Sequence, residues 1–201
     1  SRPATGSSAH TLHAMPDRSV IAVFRSVARA IGRDPRITEL PFFLPHVRAV
    51  TPESVDARFD TLPEAPLHIV FIGADYRRKG LPDLLEALRL LARRDPAILR
   101  RFRLTVIGTD GPKTPEDADL PIDWAGYLPR DEAMKTLRSA HVFCMPTRRD
   151  SYGLVYLEAM AAGCALVTDN LEPRLSFCDE GRIGLPVPAR DPGAPIEMPA
   201  W

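Results

Sequence analysis

The chain has 201 residues, 45% of them apolar, and its 26 Lys plus Arg balance 26 Asp plus Glu, for a formal net charge of +0 with histidine neutral. That length and apolar share suffice for one sizeable core. The charge balance gives no global attraction to nucleic acid or to an acidic membrane surface, so no nucleic acid partner is expected.

The sequence opens at Ser1 without an initiator methionine and closes at Trp201 after a proline-rich run, and it reads as a piece of a longer protein. Residues 1–16 are small, polar and aperiodic, and predict a mobile tail. From Asp17 the pattern changes. Val20, Phe24, Val27, Ala28 and Ile31 recur at helical spacing, with Arg18, Arg25, Arg29 and Arg33 largely on other faces and Gly32 near the stop. This predicts a basic amphipathic helix, which either docks on an anionic bilayer or packs its apolar face on a domain. Arginines without a tryptophan favour the second reading and leave a peripheral membrane contact as the alternative. Pro35 to Pro66, with the run Leu40-Pro-Phe-Phe-Leu-Pro45, reads as extended connecting chain holding one short strand around His46 to Val50.

From Leu67 a regular domain begins. His68 to Gly73 is an apolar run ending in glycine, and a helical pattern follows from Pro82 through Leu84, Leu85, Leu88 and Leu91. Strands are expected at Arg103 to Gly108, Ile122 to Gly126, His141 to Met145 and Ala165 to Thr168, with a helix over Asp131 to Ser139 and another over about Leu154 to Ala162. A short helix within Leu171 to Gly184 and a return strand at Gly184 to Val187 complete the pattern, and five prolines from Pro186 onward exclude a regular helix there. Short buried strands alternating with helices predict an α/β fold, a Rossmann-like doubly wound parallel sheet. Ligands of such sheets bind at the carboxyl ends of strands, where the loops after Gly73, Gly108 and Met145 converge. The expected division is a tail, helix and linker over residues 1–66, a domain over 67–188 and a proline-rich tail over 189–201.

Cys144, Cys164 and Cys178 are scattered, with no disulfide framework or metal spacing, and read as reduced, buried thiols of a cytoplasmic protein. Apolar runs are too short for a membrane span or a signal peptide. His141 reads as a hydrogen-bonded structural residue, and His10, His13, His46 and His68 support no catalytic or metal constellation.

Pro146 to Gly163 joins a polar loop to an almost wholly apolar helix that carries one carboxylate, Glu158. Such a helix is expected to lie inside the domain, with Gly163 placed to stop it. A buried carboxylate must be neutral, paired with a cation or accepting hydrogen bonds, and a structural ion pair or snorkelling to the surface is the alternative to a ligand. Asp150 stands eight residues before Glu158, with Gly153 at the helix start between them. The free N–H groups at Gly153 and Leu154 suit an anion, and the two acids suit hydroxyl hydrogens. Phosphate plus hydroxyls describes a nucleotide sugar. In the loop Gly73 to Leu81, Arg77, Arg78 and Lys79 stand between a strand end and a helix start, where adjacent cations suit a diphosphate or form a solvated basic turn.

The run Asp-Ser-Tyr-Gly-Leu-Val-Tyr-Leu-Glu-Ala-Met-Ala-Ala-Gly from Asp150 to Gly163 resembles the paired-glutamate signature in the donor-binding domain of family 4 glycosyltransferases, retaining enzymes of the GT-B fold. That family usually carries glutamate at the place of Asp150. The loop Gly73 to Gly80 resembles its phosphate-binding segment, with Ala74 where other members have arginine. The segment Trp124 to Pro146 resembles its strand, turn and helix around the nucleobase. The resemblance covers roughly Leu67 to Pro188.

It implies a hexosyltransferase-like enzyme in which Gly73, Arg78 and Lys79 meet the donor diphosphate and Tyr127 and Leu128 read the base by backbone, Tyr127 packing on the base or serving as a core aromatic. Glu158 binds the ribose hydroxyls, and Asp150 with Ser151, Tyr152, Gly153 and Leu154 holds the sugar. Arg78, Lys79 and Glu158 are the implied catalytic groups. No bound metal or cofactor is implied, because these groups and the helix start neutralise the departing diphosphate, with UDP as one candidate. The implied partners are a nucleotide sugar donor and a glycan or lipid-linked acceptor in surface polysaccharide or lipid-linked glycan synthesis, in the cytoplasm or at the inner face of the membrane. The acceptor-binding domain is then missing or separate. The alternatives are a nucleotide-binding module without turnover and a nucleotide-sugar epimerase of the same fold.

Overall fold

The structure, a computed structural model, describes residues 20–22, 37–39, 47–111, 113–148, 153–170, 178 and 184–187. The chain divides into two compact units, Ser1–Phe43 and Leu44–Trp201. In the first, strands β1 (Val20–Ala22) and β2 (Ile37–Glu39) pair in parallel. This corrects the helix expected from Asp17 at its start. Val20 and Ile21 belong to a β-branched run, and pairing with Ile37 and Thr38 overrides their place in a helical period. The remainder of that expected helix, the two terminal tails and most of the segment 171–183 lie outside the described residues.

The second unit begins with a further correction. Helix α1 (Pro52–Phe59) occupies chain expected to be extended, and residues 47–50 form no strand; Val50 N–H bonds Ala161 O at 2.8 Å instead. Thr51 caps the helix, accepting from Ser54 N–H at 3.3 Å, and Pro52 sits in the first turn, where its missing N–H costs nothing. Thus a proline that reads as a connector is here a helix start.

Strands β3 (Leu67–Ile72), β4 (Phe102–Ile107), β5 (Ile122–Gly126), β6 (Val142–Met145), β7 (Ala165–Asp169) and β8 (Gly184–Val187) form one parallel sheet, ordered β5-β4-β3-β6-β7-β8. Val70 pairs with Thr105 on one side and Phe143 on the other. Helices α2 (Leu81–Arg94), α3 (Arg130–Ser139) and α4 (Leu154–Ala161) connect the strands. Sheet and helices bury one core that includes Val70, Phe71, Leu104, Val106, Phe143, Met145 and Leu166. Helix α2 buries Leu81, Leu84, Leu85 and Leu88, one stripe at helical spacing, and each such leucine stabilises the fold by about 1.5–3 kcal/mol.

Helix α4 departs from its expected burial. Tyr156 and Ala159 are buried, but Leu154 is 43% exposed and Val155, Leu157 and Met160 are half-covered. A helix packed by one side on a sheet keeps an outer side, whatever its composition. Tyr156 Oη donates to Met145 O at 2.5 Å and so pins α4 to the end of β6.

Candidate functional site

Strand order in the sheet reverses between β3 and β6, so the loops leaving these two strands flank a crevice at their carboxyl ends. Gly73 ends β3, its N–H bonded to Ile107 O at 2.9 Å. A Cβ on Gly73 would stand 2.9 Å from Lys79 Cγ, so the absent side chain is what lets the stem of Lys79 cross the strand end. The loop closes on itself: Lys79 N–H bonds Asp75 O at 2.9 Å and Arg78 N–H bonds Asp75 Oδ1 at 3.2 Å. Arg78 Nε also pairs with Asp75 Oδ2 at 3.1 Å, with both side chains about half exposed. Arg77 lies over the Tyr76 ring.

The chain leaving β6 is tied to this loop. Arg78 O accepts from Arg148 N–H at 2.8 Å and from Thr147 Oγ1 at 3.0 Å. Gly80, at φ 83°, approaches so closely that a Cβ would stand 2.0 Å from Pro146 O. Gly153, at φ 77°, starts α4 as its N-cap. Asp150, Ser151 and Tyr152 lie outside the described residues.

Glu158 is paired. Arg130 Nη2 donates to its Oε1 at 2.9 Å, with the glutamate side chain 21% exposed and the arginine 51%. The three alternatives read from the sequence resolve to a cation partner, and that partner begins α3, two residues after Leu128. Tyr127 is 74% exposed at the end of β5, which overturns its reading as a core aromatic. The end of β5 adjoins β4 through Gly108 N–H, which bonds Gly126 O at 2.7 Å. Arg78 therefore meets the β6 exit, on the same loop as Gly73 and Lys79, while Arg130, two residues after Leu128, ties the start of α3 to Glu158.

Arg130, Arg148 and Asp83 were not singled out by sequence reasoning, and of the polar cluster at the other end of the sheet only His141 was, as the hydrogen-bonded structural residue it proves to be. There His68 N–H donates to His141 Nδ1 at 3.0 Å, which leaves His141 Nε2 to donate to Arg58 O at 3.1 Å. His68 Nδ1 lies 3.0 Å from Arg103 Nη2 and 3.3 Å from Ser139 O, and its Nε2 lies 2.9 Å from Thr105 Oγ1, so both ring nitrogens have partners. Burial, and then the Arg103 charge, push the His68 pKa down to about 4. Burial pushes the Cys144 thiol up to about 12 and Cys164 to about 11, as their apolar runs predict, and Cys178 is free and buried with them. Among the described residues no three His, Cys, Asp or Glu are grouped to hold a metal, and no helix is long and apolar enough to cross a membrane.

A parallel sheet with this order and a cationic loop at its switch point define a doubly wound α/β domain of the GT-B type. The crystal structure of WaaG, a glycosyltransferase involved in lipopolysaccharide biosynthesis, superposes with a TM-score of 0.62 at 19% identity, over 84% of this chain and 48% of that one. The chain belongs to the family described as glycosyl transferases group 1, which matches residues 66–197. It is 34% identical over 148 residues to the phosphatidyl-myo-inositol mannosyltransferase of Mycobacterium tuberculosis (strain CDC 1551 / Oshkosh), covering 68% of this chain and 36% of that protein. The D-inositol 3-phosphate glycosyltransferase of Corynebacterium efficiens is 31% identical over 141 residues, 63% of this chain and 33% of that protein. The chain thus spans about a third of the length of these curated relatives.

Proposed function

We propose that this chain is the donor-binding part of a glycosyltransferase that moves a sugar from a nucleoside diphosphate to an acceptor hydroxyl, with retention at the anomeric carbon. The observation that carries the reading is the bond from Arg148 N–H to Arg78 O, which ties the Arg77-Arg78-Lys79 loop to the exit of β6. Clustered cations and a helix N-terminus are both suited to an anion, and in this reading both face the donor's diphosphate.

In this reading the hard charge develops on the departing diphosphate. Arg78, Lys79 and the N–H groups at Gly153 and Leu154 neutralise it, and no metal is required. The Arg78–Asp75 pair is half exposed and therefore weak, so a dianionic ligand outcompetes Asp75 for the guanidinium. Glu158, held by Arg130, accepts from the ribose hydroxyls. Tyr127 lies against the base, and the base edge meets the backbone at Tyr127 and Leu128. Asp150 and the residues after it hold the sugar. The acceptor attacks from the face that the phosphate leaves, and the phosphate takes its proton. Relatives of which the matched part makes up only about a third support a further point: the matched part binds the donor, and transfer requires an acceptor-binding part. The acceptor is a glycan or a lipid-linked glycan, met in the cytoplasm or at the inner membrane face.

The test is a titration with UDP, GDP, ADP and CDP in EDTA, followed by displacement of the bound nucleotide with the sugar nucleotide of the preferred base. One diphosphate is expected to saturate the chain and its sugar nucleotide to displace it. Binding of nucleotide that no sugar nucleotide displaces would remove the donor role.

A further inference from the structure

Arg148 holds the cationic loop in place with both backbone and side chain. Its N–H bonds Arg78 O at 2.8 Å, while its Nε and Nη2 donate to Asp83 Oδ2 and Oδ1 at 2.9 and 2.7 Å. The two side chains are only 14% and 17% exposed, unlike the open Arg78–Asp75 pair. Asp83 lies in the first turn of α2, the helix that starts directly after Lys79 and Gly80. One arginine thus joins the exit of β6 to the peptide of Arg78 and to the helix that ends the cationic loop.

The geometry points to Arg148 and Asp83 as a positioning pair for the donor's diphosphate, an inference that rests on the donor-binding reading. A two-point guanidinium–carboxylate contact fixes direction as well as distance, which a single-point ammonium cannot reproduce. Little exposed as it is, the pair is poorly exchanged for water contacts, and neutralising Asp83 weakens the two-point contact that holds Arg148 against α2. The consequence falls on Arg78 and Lys79, whose loop then loses one of its ties to β6. It does not fall on Tyr127 and Leu128, in the turn between β5 and α3, or on Glu158, in α4. The pair therefore governs how much the second phosphate adds to affinity, and leaves the nucleoside contribution alone.

The experiment uses the full chain and compares the tightest-binding member of UDP, GDP, ADP and CDP with its monophosphate by calorimetry. Asp83→Asn and Arg148→Lys are each expected to reduce the diphosphate-to-monophosphate affinity ratio about fivefold or more, with monophosphate affinity changed by less than about twofold. Asp83→Glu is expected to recover most of the ratio. Glu86→Gln, on the same helix but paired with Arg89 and Arg93, leaves it unchanged. Circular dichroism establishes that each variant is folded, and Arg148→Lys decides the matter if Asp83→Asn does not fold. An unchanged ratio in the folded variants, or equal weakening of both ligands, overturns the positioning role. Failure of the unaltered chain to bind any diphosphate overturns the donor reading itself, which separates the two claims.

Discussion

Arg130 Nη2 donates to Glu158 Oε1 at 2.9 Å, and through this bond the first turn of α3 holds a carboxylate in the middle of α4. The arginine is half exposed, so the pair adds at most about 1 kcal/mol to stability. Its value lies in orienting the carboxylate. Arg130→Ala is expected to leave chemical denaturation within about 1 kcal/mol of the unaltered chain and to weaken nucleoside diphosphate binding about fivefold. The 2′-deoxy analogue checks the cause: the substitution should narrow the preference for the ribose form, and an unchanged preference would separate Arg130 from ribose recognition.

Arg58 gives the strongest stability prediction. Its guanidinium donates to Arg138 O at 2.7 Å, Ala162 O at 3.0 Å and Gly163 O at 2.5 Å, so α1 satisfies carbonyls at the ends of α3 and α4. Hydrogen bonds to a charged donor contribute about 1.5–3 kcal/mol, and Arg58→Met is expected to cost at least that much in urea unfolding. A loss below about 0.5 kcal/mol would show that water replaces these contacts.

Stability should fall on acidification because of His68. Its folded pKa, about 4, lies below the ordinary value of 6.5, so between these values the unfolded chain binds the proton and the folded chain does not. The neutral form's contribution is complete above about pH 6.5 and is lost as pH falls towards about 4, on the order of 3 kcal/mol in all. Burial lowers His141 in the same direction. Unfolding free energies measured from pH 7 to pH 4.5 should show a shallower slope for His68→Gln, and equal slopes would contradict the assignment.

Gly80 tests the lacing of the two loops. Alanine there must hold φ near 83° and place its Cβ against Pro146 O, a backbone atom that cannot swing aside. Gly80→Ala is expected to cost about 2 kcal/mol or more in thermal unfolding and to abolish diphosphate binding before monophosphate binding. Neutral behaviour in both would mean that the β6 exit and the cationic loop move apart freely.

Much of the sheet was legible in the amino acids because each strand is a short apolar run bounded by glycine or polar residues, and α2 shows its buried stripe directly. Gly153 and Gly163 bracket α4 as their positions suggest, both at positive φ. Val20–Ala22 misled because a helical period over 12 residues was read from apolar spacing, whereas three β-branched or small residues suffice for a paired strand. Helix α1 was missed although Thr51-Pro52 is a capping pair, since the surrounding prolines outweighed it. The contacts that shape the site were not legible. Arg148 and Asp83 are 65 positions apart and Arg130 and Glu158 are 28 apart, and nothing in local pattern marks one arginine among many as the partner of one acid.

The central claim is that a nucleoside diphosphate binds where β3 and β6 part. Calorimetric titration of the full chain with the preferred nucleotide, first in EDTA and then in magnesium, beside Lys79→Ala and Glu158→Ala, tests it most directly. The account predicts saturable binding that is equal in both buffers and weakened about tenfold in each variant. Binding that both folded variants retain at full strength, or that requires magnesium, would contradict it.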